Sequence, residues 1–284
     1  MHSRVIYNNQ LMEATKARLL PITSAALYGR GVFTTLAIYR GRAFLWPQHW
    51  MRLVEHAGRT GVDCSGFDEE AVGAALARLI EANKVTDGRA RITLFGSAGR
   101  DLWKLKGAGG ARHKTELLIM TGDARVIGEE GLALTISPYR INTLSPIAGV
   151  KSINYMEHLL CWEEARARDF DEAVTLNERG EVVSATMANI FWVIDGTIHT
   201  PALSTGTLAG TTRARIIALA SELSIPHVEG VYELSQLSDA DEIFLTSAGL
   251  GVAIVTTFDF HRYTVPMGSV VLRLREAFRQ LTIS

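Results

Sequence analysis

The chain has 284 residues, with 29 Lys+Arg against 30 Asp+Glu and a formal net charge of −1 at pH 7. This balance argues against a non-specific nucleic-acid binder, which needs a basic excess to meet phosphates. A hydrophobic fraction of 47% with 21% charged residues argues equally against intrinsic disorder. Cys64 and Cys161 make neither a disulfide framework nor a CxxC metal motif, and no apolar run reaches the ~20 residues that span a bilayer. Residues 1–7 lack the apolar stretch of a secretory signal. A reduced, cytoplasmic protein that touches neither membrane nor nucleic acid is expected.

At ~150 residues per domain the length suggests two domains. In chain order, residues 32–39 read as a strand and Gly41 as a turn. Residues 47–59 read as a helix with Pro47 in its first turn, where a missing N–H costs nothing. Residues 69–83 repeat Val72, Ala75, Leu76, Leu79 and Ile80 at helical spacing. Strands are predicted at 89–95 and 115–121. Between them, 99–114 holds Gly99, Gly107, Gly109 and Gly110 among basic residues with no period, the pattern of a long binding loop or lid. Polar, turn-rich residues 122–131 form the expected link, dividing an N-terminal domain, 1–120, from a C-terminal domain, 121–284.

Beyond the link, a strand is expected near 132–138 and a helix over 152–168. Strands at 172–177 and 181–185 are expected to pair across Arg179-Gly180. Strands at 189–194 and 197–200 are expected to pair across Asp195-Gly196, a strong hairpin signal. A helix follows at 211–223, then strands at 242–246 and 252–256. The strands are grouped rather than strictly alternating with helices, which is an α+β order.

Four segments carry candidate chemistry. Gly210-Thr211-Thr212-Arg213 opens a helix whose first N–H groups suit a phosphate; a plain Thr-capped helix is the alternative. Lys151 stands between a Gly/Pro-containing loop and a helix, where a desolvated lysine can form a Schiff base. Taken alone, it reads as a solvated lysine. Arg52 has the fork of donors that suits phosphate, or is a surface helix arginine. Gly29-Arg30-Gly31 before a strand says little alone.

Together, His49-x-x-Arg52-Leu53, Lys151-Ser152-x-Asn154-Tyr155, Asn189-Ile190-Phe191 and Gly210-x-Thr212-Arg213, in that order, resemble the class IV aminotransferases. These are the fold-type IV pyridoxal-phosphate enzymes: branched-chain and D-amino-acid aminotransferases and aminodeoxychorismate lyases. The resemblance runs from about residue 28 to about residue 255. It implies a two-domain α+β architecture, with a smaller N-terminal α/β domain and a larger C-terminal, lysine-bearing domain built on a barrel-like sheet. It also implies a homodimer and pyridoxal 5′-phosphate as cofactor.

By the same resemblance, Lys151 forms the internal aldimine and moves the proton at the substrate Cα. Arg52 and the Thr211 and Thr212 N–H groups, with the Thr212 hydroxyl, hold the phosphate. Thr246 and Ser247 lie in a turn near it, and Tyr155 contacts the cofactor ring. Phe33, Arg100, Ala248 and Gly249 serve the substrate.

One departure matters. The family glutamate that pairs with the pyridine nitrogen stands five residues before the asparagine, and here that position is Ser184. Glu181 lies three residues earlier, on the opposite face of a regular strand unless a bulge re-phases it. A serine offers a hydrogen bond but no charge to hold that nitrogen protonated. The implied function is amino-acid transamination. The alternatives are an aminodeoxychorismate lyase releasing pyruvate and 4-aminobenzoate, and a catalytically impaired cofactor-binding homologue. Gly31-Val32-Phe33-Thr34-Thr35 and Ser145-Pro146-x-Ala148-Gly149-Val150-Lys151 resemble the lyase members.

Overall fold

The computed structural model describes residues 1–97, 114–125, 128 and 130–283. Arg100, and the expected loop 99–114 apart from Lys114, lie outside the described residues. The chain folds into two compact units: Met1–Ala124 with Val150–Tyr155, and Arg125–Gly149 with Met156–Ser284.

In the first unit, β1 (Arg4–Tyr7), β2 (Gln10–Glu13), β3 (Gly31–Tyr39), β4 (Arg42–Ala43), β5 (Gly88–Gly96) and β6 (Thr115–Asp123) form one antiparallel sheet, ordered β2-β1-β6-β5-β3-β4. Helices α1 (Ser24–Tyr28), α2 (Trp46–Thr60) and α3 (Glu69–Ala82) accompany it. Asp68 caps α3 by accepting the Ala71 N–H at 2.8 Å. The periodic residues Val72, Ala75, Leu76, Leu79 and Ile80 are all buried, as a one-faced helix requires.

Residues 150–155 return to this unit and set the position of Lys151. Ser152 bridges Val32, the Phe33 N–H donates to the Lys151 carbonyl at 2.9 Å, and the Ile153 N–H donates to the Gly31 carbonyl at 3.0 Å. A helix was expected from 152. These backbone groups are instead spent on β3, and the helix begins at Met156. Gly31 permits the approach: a Cβ there would lie 2.8 Å from Ile153 Cδ1 and 2.9 Å from the Leu94 carbonyl oxygen.

The second unit holds β7 (Leu132–Ile141), α4 (Met156–Ala167), β8 (Glu172–Asn177), β9 (Val182–Ala185), β10 (Asn189–Ile194), β11 (Thr197–Pro201), α5 (Thr211–Glu222), β12 (His227–Gly230), α6 (Ser235–Ser238), β13 (Glu242–Ser247), β14 (Gly251–Phe258), β15 (His261–Arg262) and α7 (Val270–Ile283). Its nine-stranded mixed sheet runs β12-β11-β10-β13-β14-β7-β8-β9, with β15 on β14. In a flat sheet the five strand spacings from β10 to β9 would separate them by ~24 Å. The three residues joining β9 to β10 reach only ~14 Å, so the sheet must curl. Trp192, Leu245, Val255, Leu134 and Val174 are among the side chains filling its core. The expected hairpin is present: Ile194 pairs with Thr197, and Asp195 and Gly196 have φ of 48° and 74°, the positive values a two-residue turn demands. Among the described residues no helix is long and apolar enough to cross a membrane, and no cluster of side chains suits a metal ion.

Candidate active site

Helix α2 buries His49, Arg52, Leu53 and His56, a stripe at three- and four-residue spacing. Thr34 of β3 joins two of them. Arg52 Nη2 donates to Thr34 Oγ1 at 3.0 Å, and Thr34 Oγ1 lies 2.7 Å from His49 Nδ1. The Thr34 hydroxyl thus links the Arg52 guanidinium to the His49 ring. His56 Nδ1 accepts the Lys151 backbone N–H at 3.0 Å.

Lys151 Nζ stands 4.6 Å from the Phe33 ring centroid and 5.2 Å from that of Tyr155. The two rings meet edge-on at 5.3 Å. Arg91 of β5 lays its guanidinium 3.6 Å over the Phe33 ring, a cation–π contact. Burial, then the charges of Arg52 and Arg91, pushes the Lys151 amine from 10.5 to about 7. At neutral pH much of it is therefore the free, nucleophilic base. Burial also brings Arg52 to about 10. Burial followed by the Arg52 charge lowers His49 to about 3 and His56 to about 4. Both histidines are neutral, and the positive charge rests on Arg52 and Arg91 with a share on Lys151. Such a group suits an anion.

In the second unit, Gly210 is the N-cap of α5 and brings no side chain to cap it. A Cβ on Gly210 would lie 2.0 Å from Asn189 Oδ1, so only glycine fits. The Asn189 amide donates to Thr207 Oγ1 at 3.1 Å and to the Leu208 carbonyl at 2.9 Å. That clamps the segment leading into α5 against β10. Thr212 is buried and Thr211 half-buried. Thr246 pairs with Asn189 across β10 and β13, and its buried Oγ1 has no hydrogen-bond partner among the described residues. An orphaned buried hydroxyl is costly, and a phosphate oxygen at the α5 N-terminus would satisfy it. Ser247, Ala248 and Gly249 lead from β13 into the turn before β14. There the Leu250 N–H donates to the Ser247 carbonyl at 3.2 Å.

Ser184 lies on β9 opposite Thr175. Thr175 Oγ1 donates to the Ser184 carbonyl at 3.0 Å and lies 3.2 Å from Ser184 Oγ. The register slips between Thr175↔Ser184 and Leu176↔Val182. Val183 is therefore an extra residue, and Glu181 falls on the Ser184 face. The regular-strand expectation for Glu181 is thus corrected by a bulge. Its carboxylate is already engaged, by Arg179 Nε at 3.0 Å and Nη2 at 2.6 Å and by Asn177 Nδ2 at 2.6 Å, which hold it below its ordinary range.

The structure thus gathers Lys151, Arg52, Phe33 and Tyr155 in the first unit. In the second, Thr211, Thr212 and Thr246 share one neighbourhood through Asn189, Ser247 to Gly249 continue from Thr246, and Ser184 sits on β9. Sequence reasoning missed Arg91, Thr34 and the contact of His56. The stripe of two histidines around Arg52 on a helix face otherwise apolar was the available signal for His56. Alternation along Arg89, Arg91 and Thr93 was the signal for Arg91.

A family model for class IV amino-transferases matches residues 31–258. The chain is 30% identical to a Methanocaldococcus jannaschii protein provisionally named a branched-chain-amino-acid aminotransferase, over 98% of this chain and 96% of that one. It is 28% identical to an aminodeoxychorismate lyase of Bacillus subtilis, over 97% and 94%. A crystal structure of Escherichia coli branched-chain amino acid aminotransferase matches it with a TM-score of 0.90 and 25% identity, covering 99% of this chain and 95% of that one.

Proposed function

Since the chain belongs to the class IV aminotransferase family and has the fold-type IV architecture of its structural relatives, we propose that it is a pyridoxal-phosphate-dependent amino-acid aminotransferase with Lys151 as its catalytic lysine. The observation that carries this reading is the Lys151 amine: it is pushed down to about 7 and stands beside the Phe33 and Tyr155 rings. Pyridoxal phosphate, when bound, supplies the electron sink for bonds at the substrate Cα.

The side chains present fit that group. In this reading Arg52 of the first unit and, from the second, the Thr211 and Thr212 N–H groups, the Thr212 hydroxyl, Thr246 and Ser247 would hold the phosphate. Tyr155 would contact the ring, and Ser184, backed by Thr175, would serve the ring nitrogen as a neutral hydrogen-bond partner. Lys151 Nζ would take the proton from the substrate Cα and deliver it to the cofactor carbon C4′. Arg91 beside Phe33 and the Ala248 and Gly249 N–H groups would receive the substrate carboxylate, the role the family resemblance also gives Arg100. The protein is read as a cytoplasmic homodimer. The exposed Leu19, Leu20, Ile22 and Leu27 offer the apolar patch that a subunit contact requires.

A specific observation favours aminodeoxychorismate lyase as the second reading. Ser184 and Thr175 supply no negative charge, and the Glu181 carboxylate is turned to Arg179 and Asn177, so the site is poorly equipped for a strongly charged sink. An acceptor test separates the two. An aminotransferase consumes an amino donor only with a keto acid and forms the exchanged pair. A lyase releases pyruvate and 4-aminobenzoate from aminodeoxychorismate with no acceptor. Turnover of neither, in protein that has taken up the cofactor, would overturn both.

A further inference from the structure

Lys151 lies outside any helix or strand, following Gly149 at φ 69° and preceding the bridged Ser152. Its backbone is nevertheless held from both sides. Its carbonyl accepts the Phe33 N–H from β3. Its N–H donates to a side chain 95 residues away in sequence, His56 of α2. Most backbone N–H groups pair with carbonyls; an imidazole from a distant helix in that place makes a dedicated contact. His56 is four residues after Arg52 and so stands next to it on the same face of α2. One rigid helix therefore fixes the Arg52 guanidinium and the Lys151 backbone together.

Resting on the proposed role of Lys151, we infer that His56 is a positioning residue: its Nδ1 lone pair anchors the Lys151 N–H and thereby holds the lysine amine in register with Arg52 and the Phe33 ring. The contact requires the neutral imidazole with its proton on Nε2, because a protonated ring has no lone pair to accept with. The charged groups facing His56 favour that form. Arg52 and Arg59 lie on its own helix and Lys151 on the 150–155 segment, and with burial they lower it to about 4.

Three variants separate anchoring from filling. In His56→Asn, the amide Oδ1 replaces Nδ1 as acceptor at the same branch point. His56→Gln moves the acceptor one bond outward. His56→Leu fills the volume without an acceptor. Three readouts apply to the full chain: hydrogen exchange of the Lys151 amide before cofactor is added, the pH midpoint of the visible band after pyridoxal phosphate is bound, and kcat with KM. Leu and Gln should exchange at Lys151 about 10-fold faster, shift the midpoint, and lower kcat with KM little changed. Asn should keep the wild-type exchange rate and midpoint. The inference is overturned if Leu exchanges like wild type, if Asn is as impaired as Leu, or if exchange quickens while the midpoint and kcat hold. A chain that takes up no pyridoxal phosphate would sink the proposed function, yet the exchange arm would still report on the His56 contact.

Discussion

A half-buried lysine whose amine is pushed down to about 7 makes stability depend on pH, and Lys151→Met should remove that contribution. In the unfolded chain the amine titrates at 10.5, whereas in the fold burial with Arg52 and Arg91 lowers it to about 7. The unfolded state therefore binds the proton more tightly, and stability rises with pH from about 7 to 10.5. Below about 7 the full penalty applies, roughly 5 kcal/mol for a shift of ~3.5 units. Between pH 6 and pH 9 some 2.5 kcal/mol of it should be relieved, or about 1.5 kcal/mol if water reaches the half-buried side chain. Methionine is unbranched and one atom shorter than lysine, and it carries no charge. Urea unfolding of cofactor-free wild type and Lys151→Met at pH 6, 7, 8 and 9 gives the difference directly. The variant should be the more stable at pH 6, with the gap narrowing by about 1.5–2.5 kcal/mol at pH 9. A gap constant to within about 0.5 kcal/mol would mean that Lys151 keeps its proton throughout, and would refute the reasoning.

Other outcomes follow from the same geometry. Arg52→Gln removes a charge-assisted contact and should weaken pyridoxal phosphate binding about 10- to 100-fold while leaving pyridoxal binding unchanged, as read by equilibrium dialysis. Gly210→Ala places a Cβ 2.0 Å from Asn189 Oδ1 and should cost about 2 kcal/mol, seen as a lowered Tm. Glu172 is buried, with Oε2 accepting from the Thr186 N–H at 3.1 Å. Burial raises it from 4.5 to about 7. Its protonated form then stabilises the fold fully below 4.5, and that contribution is lost as pH rises through about 7. Glu172→Gln, neutral at every pH, should match wild type near pH 4.5 and exceed it by about 1–3 kcal/mol at pH 8, measured by urea unfolding.

What was legible in the sequence was what repeats or punctuates. Val72 to Ile80 marked α3 because one face of a helix must be apolar, and Asp195-Gly196 marked its hairpin because few residues accept two positive φ values. Short elements without a period, such as β12 (His227–Gly230) and α6 (Ser235–Ser238), gave no such signal. Residues 152–155 were misread as helix because apolar spacing says nothing of a backbone claimed by a distant strand. The candidate site divided in the same way. Motif order singles out Lys151, Arg52, Thr212 and Ser184 as candidates. Arg91 and the anchoring role of His56 depend on pairings of β3 with β5 and of α2 with 150–155, which join residues far apart in sequence. Whether Glu181 shares the Ser184 face turned on one extra residue, Val183, which alternation alone cannot reveal.

The central claim is that Lys151 carries pyridoxal phosphate. The most direct measurement incubates the purified chain with the cofactor, records the visible spectrum, reduces with borohydride and maps the adduct by peptide mass spectrometry. The account predicts a visible band that borohydride bleaches and a phosphopyridoxyl mass on the peptide containing Lys151, absent in Lys151→Met. No band and an unmodified Lys151 peptide, or an adduct unaffected by the Lys151→Met substitution, would contradict it.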